Sequence, residues 1–149
     1  MRAIAEMGEI RVDLELTNAV DESLVRRGML APNQVRSVLV PALVDTGAVK
    51  SCIPAELAKE LGAGESDEGH VVLADGSRHE VKITDALRFT LVGRTTIDTA
   101  WVLGDEVLIG QTVLETTDLL ADCQGQRLIP NPEHPDGPVL RAKLAIKNC

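Results

Sequence analysis

The run Val38-Leu39-Val40-Pro41-Ala42-Leu43-Val44 stops on Asp45-Thr46-Gly47-Ala48, that is, on a carboxylate, a hydroxyl, a glycine and a methyl in succession. The run is rich in β-branched residues and reads as a buried strand. A carboxylate at the end of such a strand is costly to desolvate unless something pairs with it or uses it. The use open to a lone acid is proton transfer, as general acid or general base. An ordinary Asp/Gly turn after a strand is the other reading of the tripeptide, so the surrounding chain has to decide.

The remaining residues of chemical interest are sparse. Cys52, Cys123 and Cys149 are three in number, an odd count, and neither they nor His70, His79 and His134 fall at metal-ligand spacings. The cysteines read as reduced thiols, with Cys52 buried, and the histidines as solvated loop or strand residues. No metal and no cofactor is expected. Fifteen basic against 23 acidic residues give a formal charge of −8, which repels phosphate backbones and anionic lipid surfaces. Trp101 and Phe89 are the only aromatic residues, so nothing offers a stacking platform for bases. Nucleic acid and membrane are both poor partners for this chain. Residues 1–6 lack the apolar core of a signal peptide and no run approaches a membrane span, so a soluble cytoplasmic protein is expected.

With 149 residues, 44% of them apolar, the chain suits one domain with a core of Val, Leu, Ile and Ala. The elements that must position Asp45 follow from periodicity. Residues 9–17 alternate strictly, with Ile10, Val12, Leu14 and Leu16 apolar, and predict a half-buried strand. Residues 18–33 read as loop with a short helical turn, and the strand into Asp45 begins near Val35. Residues 49–53 read as extended. Pro54 opens a short helix that presents Leu57, Ala58 and Leu61 on one face and ends at Gly62. The glycine- and acid-rich residues 62–69 read as a mobile loop. The segments Val71-Val72-Leu73 and 80–83 flank Ala74-Asp75-Gly76-Ser77, a strong hairpin signal. Two strands follow over 89–92 and 95–103. Val107-Leu108-Ile109-Gly110 then leads into a helix over 111–120, and residues 127–129 restart a strand. After a Pro-rich segment, 130–138, Leu140, Ala142, Leu144 and Ile146 alternate with polar residues and predict a last strand.

The order of these features is more specific than any one of them. The set comprises Leu43-Val44-Asp45-Thr46-Gly47-Ala48, a hairpin tip Ala74-Asp75-Gly76-Ser77, and Val107-Leu108-Ile109-Gly110-Gln111 opening a helix. On these residues the chain resembles the retropepsin-like (retroviral-type) aspartic proteases and their bacterial relatives, over residues 10–129. The resemblance implies a mainly β, single-domain, closed β-barrel-like acid protease fold with a flap hairpin and one or two short helices. The core would span 9–129, with a Pro-rich loop and strand over 130–149.

The implied activity is aspartic endopeptidase action on extended peptide or protein segments, with Asp45 as the catalytic residue. Peptide hydrolysis without a metal or a covalent intermediate needs one group to take a proton from water and another to give one to the carbonyl. Two carboxylates held close do both, because like charges at that distance cannot both ionise and the pair shares a proton. One Asp45 is half of such a site. Asp98-Thr99-Ala100 echoes it, but Ala replaces glycine and no apolar strand precedes it, so these are taken as strand residues. The economical source of the second carboxylate is a second copy of the chain across a two-fold axis, a homodimer.

By the same resemblance Thr46 would bond the partner's loop backbone, and Gly47 would allow backbone to approach the carboxylate. Leu108, Ile109 and Gly110 would pack behind the Asp loop, with Ile109 standing where the family usually has Leu. Ala74, Asp75, Gly76 and Ser77 would form the flap tip over a bound peptide, where Asp75 departs from an apolar tip. Ala48 replaces the hydroxyl residue that pepsin-like relatives place after Asp-Thr-Gly to stabilise ionised carboxylates. That substitution predicts a mildly acidic optimum. The last strand either completes the monomer's sheet or pairs with the dimer mate. A rival from another class is a fold of this type kept as a peptide-binding or dimerisation module that does not cut.

Overall fold

The computed structural model describes residues 8–144. Most of its regular structure is β. Strand β1 (Arg11–Asn18) carries the strict alternation and pairs antiparallel on one side with β2 (Ser37–Val44) and on the other with β6 (Leu87–Leu91). The register sets Leu14 opposite Val40 and Leu16 opposite Phe89 on the inner face, while Glu15 faces Leu39 and Asp13 faces Pro41 on the outer one. For that reason β2 is not the buried strand its composition predicts. Only Ala42 is fully buried, and Leu39 shares the solvent side with the acids of β1.

Beyond β2 the sheet continues through β9 (Val107–Ile109), which runs parallel to it, and then β3 (Cys52–Ile53), β8 (Trp101–Val102), β5 (Arg78–Thr84) and β4 (Glu65–Val72). On the other side β6 is followed by β7 (Arg94–Asp98). Among the described residues this is one sheet of nine strands with β4 and β7 at its two ends, so the mainly β class expected from the sequence is present. A separate hairpin pairs β10 (Leu119–Asp122) with β11 (Arg127–Pro130). The inner face buries Leu14, Leu16, Ile53, Leu61, Leu87, Phe89, Leu91, Ile109 and Val113 in one cluster. Phe89, with no exposed surface, is its largest side chain. Burial of side chains like these contributes roughly 1.5–3 kcal/mol each, offset by ordering entropy.

Among the described residues there are three α-helices. Helix α1 (Ala19–Arg26) is longer than the short helical turn expected within a loop over 18–33; the Asn18 side chain accepts from the Asp21 amide, and acids in the first turn and Arg26 in the last suit the helix dipole. Helix α2 (Ala55–Glu60) starts after Pro54, and the Leu61 that follows it is fully buried, as expected. Helix α3 (Gln111–Thr117) is shorter than the predicted 111–120. It stops where Asp118 adopts a left-handed conformation (φ 54°), and the buried Arg94 guanidinium takes up the carbonyls of Thr117 and Asp118.

The acid-rich segment predicted as a mobile loop is instead the edge strand β4. Its acids are exposed, and it is held by the β5 ladder and by a Lys82–Glu68 ion pair. Of the predicted last strand, residues 138–144 pair with no strand within the described chain, and Val139, Leu140 and Leu144 are exposed. Ile146 and Cys149 lie outside the described residues.

Candidate active site

Asp45 sits where β2 ends, half-buried, and the chain then loops through Thr46–Ser51 into β3. The loop is fixed from both sides. Its own turn is closed by the Ala48 amide donating to the Asp45 carbonyl (3.2 Å) and the Gly47 amide donating to Asp45 Oδ1 (3.0 Å). Across the loop, the Asp45 amide donates to the Ile109 carbonyl (2.9 Å), and the amides of Gln111 and Thr112 donate to the carbonyls of Ala48 (2.8 Å) and Val49 (3.0 Å). The Gln111 side-chain amide reaches the Thr46 carbonyl (2.7 Å), and Ser51, fully buried, accepts from the Gly110 amide at Oγ (3.0 Å). The parallel pairing of β2 with β9 is what brings these two segments together: Val44 lies opposite Ile109, so the residues after each strand emerge side by side.

Gly110 is where the packing is tightest. A Cβ there would stand 2.5 Å from the carbonyl carbon and oxygen of Lys50 and 3.0 Å from the Ala48 oxygen, so only glycine lets the two segments pass. At Gly47 the requirement is milder. A Cβ would lie 3.4 Å from Asp45 Oδ1, an ordinary contact within one protomer.

Of the residues singled out in the sequence, Asp45, Gly47, Ala48, Ala74 and Leu108 are brought together around one cavity of about 570 Å3. Val49, Cys52, Val71, Val72, Leu73, Trp101 and Leu103 give it a largely apolar wall, with His70 on β4. Burial pushes the Cys52 thiol pKa up, and the negative charge of the nearby Asp45 pushes it the same way. Ile109 and Gly110 lie behind the Asp45 loop. Thr46, exposed, faces another way and lines a second cavity of about 360 Å3 with Gln111, Leu114, Leu119 and Leu120.

The β4–β5 hairpin turns at Ala74-Asp75-Gly76-Ser77 as its sequence predicts, with Gly76 at φ 84°, the Leu73 amide donating to the Ser77 carbonyl and the Gly76 amide donating to the Leu73 carbonyl. Of the four tip residues only Ala74 lines the cavity. The Asp75 carboxylate folds back on its own turn, accepting from the Ser77 hydroxyl (2.5 Å) and amide (2.8 Å). Those bonds, the hydroxyl's first, hold its pKa below the ordinary carboxylate value. The polar tip residue is thus explained by the turn.

Some contributors are not singled out by sequence reading: Ser51 is one, and Gln111, though part of the segment after β9 that the sequence marks, forms a side-chain bond that only the folded chain reveals. Asp98, read as a plain strand residue, ends β7 with both oxygens engaged: Oδ1 with Lys50 Nζ (2.5 Å) and the Thr99 amide (2.8 Å), Oδ2 with the Thr112 hydroxyl (2.6 Å). Among the described residues no group of His, Cys, Asp and Glu side chains could hold a metal ion, and no helix is long and apolar enough to cross a membrane.

No family model matches the chain, and no curated protein matches it. Among solved structures, the foamy viral protease-reverse transcriptase in complex with an RNA/DNA hybrid aligns with 72% of this chain at 17% identity and a TM-score of 0.47. The aligned part is 12% of that viral chain.

Proposed function

We propose that this protein is an aspartic endopeptidase acting as a homodimer, in which two copies of Asp45 face each other across a two-fold axis and share one proton. The observation that carries the reading is the placement of Asp45. A half-buried carboxylate sits on a loop held by five hydrogen bonds from or to residues 109–112, beside an apolar cavity lined on one side by residues 70–74 of the β4–β5 hairpin. An acid held that firmly beside an apolar cleft is positioned to activate water against a carbonyl, and fixed geometry is what makes such proton transfer efficient.

In this reading an extended peptide lies along the cleft with apolar side chains against Val49, Leu108 and Trp101. One ionised Asp45 takes a proton from water while the protonated copy gives one to the scissile carbonyl, and the roles reverse as the amine leaves. The β4–β5 hairpin closes over the peptide as a flap and supplies backbone hydrogen bonds. Thr46 and its surroundings meet the second copy.

The test is cleavage of casein or a peptide library by purified protein, compared with Asp45→Asn and with wild type plus a statine-type inhibitor. Wild-type cleavage abolished by either supports the reading. Activity that survives Asp45→Asn overturns it, as does full activity in a strict monomer. Retained peptide binding with no cleavage by wild type would favour a binding module.

A further inference from the structure

The Asp45 loop bears a cation, Lys50, that the proposed chemistry does not use. The Lys50 and Asp98 side chains are each only about a fifth exposed (22% and 19%), and ammonium and carboxylate meet at 2.5 Å. The same carboxylate binds the Thr112 hydroxyl at 2.6 Å through its other oxygen. Lys50 lies within the Asp45 loop and Thr112 in the first turn of α3, so Asp98, from the end of a third element, grips both of the segments that the backbone bonds between 48–49 and 111–112 join.

We propose that Asp98 is a positioning residue for Asp45, setting the loop through Lys50 and Thr112. The inference rests on the endopeptidase reading for its kinetic consequence, though not for its structural one.

The physical argument is one of leverage. The backbone of Lys50 is already pressed against Gly110, whose missing Cβ leaves no slack. Its side chain would leave a partly buried site for water if Asp98 were neutral, because a partly buried ammonium without its counter-charge is unstable there. Movement of Lys50 is transmitted to Ala48 and Val49 through the same short loop, and so to Asp45. Charge-assisted bonds such as Lys50–Asp98 are also the stronger ones in the network. Because both its oxygens are already committed to these partners, Asp98 serves the loop and is not a second acid of the dyad.

Two readouts separate this from a general stabilising role. Amide exchange at Gly47 and Ala48, measured in the full-length protein, is faster in Asp98→Asn than in wild type, by about tenfold or more, while exchange in β1 and β6 is unchanged. This readout needs no activity, so it stands even if the protein cleaves nothing. Where wild type does cleave, Asp98→Asn lowers kcat about tenfold to a hundredfold with KM within about threefold. Adding Lys50→Met to Asp98→Asn then lowers kcat by no more than about twofold further, as expected for two residues acting through one contact.

Unchanged Gly47 and Ala48 exchange in Asp98→Asn overturns the proposal. So does faster exchange throughout β1 and β6 as well, and so do losses in the double variant that simply multiply. If Asp98→Asn fails to fold, Thr112→Val, which removes one of the two grips, must give the same local acceleration in smaller degree. Its absence there overturns the proposal too.

Discussion

Gly110 passes Lys50 so closely that a Cβ on Gly110 would sit 2.5 Å from the Lys50 carbonyl carbon. That single approach joins the segment following β9 to the loop that carries Asp45, and the backbone bonds on either side of it depend on the separation. Gly110→Ala must push the two apart. Its expected cost is about 1–3 kcal/mol of folding stability, read as a lower denaturant midpoint, together with a loss of activity larger than the stability loss explains. A Gly110→Ala protein with wild-type midpoint and wild-type kcat would show that the approach is not a constraint.

Asp21 and Arg36 give a pH prediction with a definite sign. Asp21 is 3% exposed and accepts from Arg36 at the guanidinium (2.9 Å to each oxygen) and at the backbone amide (3.0 Å). The side-chain bond from Arg36, opposed by desolvation, holds the Asp21 carboxyl pKa below its ordinary value. A folded-state value lower than the unfolded one means stability that is present above the unfolded pKa and is lost as pH falls through the folded one. Asp21→Asn therefore destabilises by about 1.5–3 kcal/mol near neutral pH. The gap between variant and wild type narrows below about pH 4. Thermal melts across pH 2 to 7, taken as an approximate range, check this; a gap that widens in acid would reverse the assignment.

Ala48 carries the prediction about the working pH. Its amide and carbonyl are both used by the loop, bonding Asp45 and Gln111, and its methyl lines the cavity beside Asp45. A hydroxyl there would donate to ionised carboxylates and favour the charged form. Wild type is expected to cleave best in mildly acidic solution, and Ala48→Ser to move the acid limb of the activity profile to lower pH. An optimum near pH 2 or 3 in wild type, or an acid limb unmoved by the serine, would contradict the role given to this position; both pH figures are approximate.

The parts of the molecule legible in the sequence are those set by local rules. The alternation of Ile10, Val12, Leu14 and Leu16, the Pro54 and Gly62 boundaries of α2, and the Asp75-Gly76 turn all follow from residue-by-residue preferences. What was not legible depends on partners far away in the chain. The acids over 65–68 read as loop because nothing local favours a strand there. Pairing with β5 supplies the missing term, and as an edge strand β4 can keep its charges in water. Leu39 reads as core until the β1 register puts it beside Glu15. Helix α1 did leave a signal, the Asn18 cap followed by two acids, which the weak apolar periodicity of the segment obscured. At the site, Asp45, Gly110 and the hairpin tip could be named from sequence. Ser51, the Gln111 side-chain bond and the grip of Asp98 on Lys50 and Thr112 arise only when β7, β9 and the Asp45 loop converge.

The pairing of two Asp45 carboxylates across a dimer is tested most directly by mixing. Wild type and Asp45→Asn chains are unfolded together and refolded at fixed total concentration, and peptide cleavage is measured against the wild-type fraction. If each site needs one Asp45 from each copy, activity follows the square of that fraction, because mixed dimers are inactive. Activity falling in simple proportion to the wild-type fraction would mean that each chain carries a complete site, and would contradict the shared dyad.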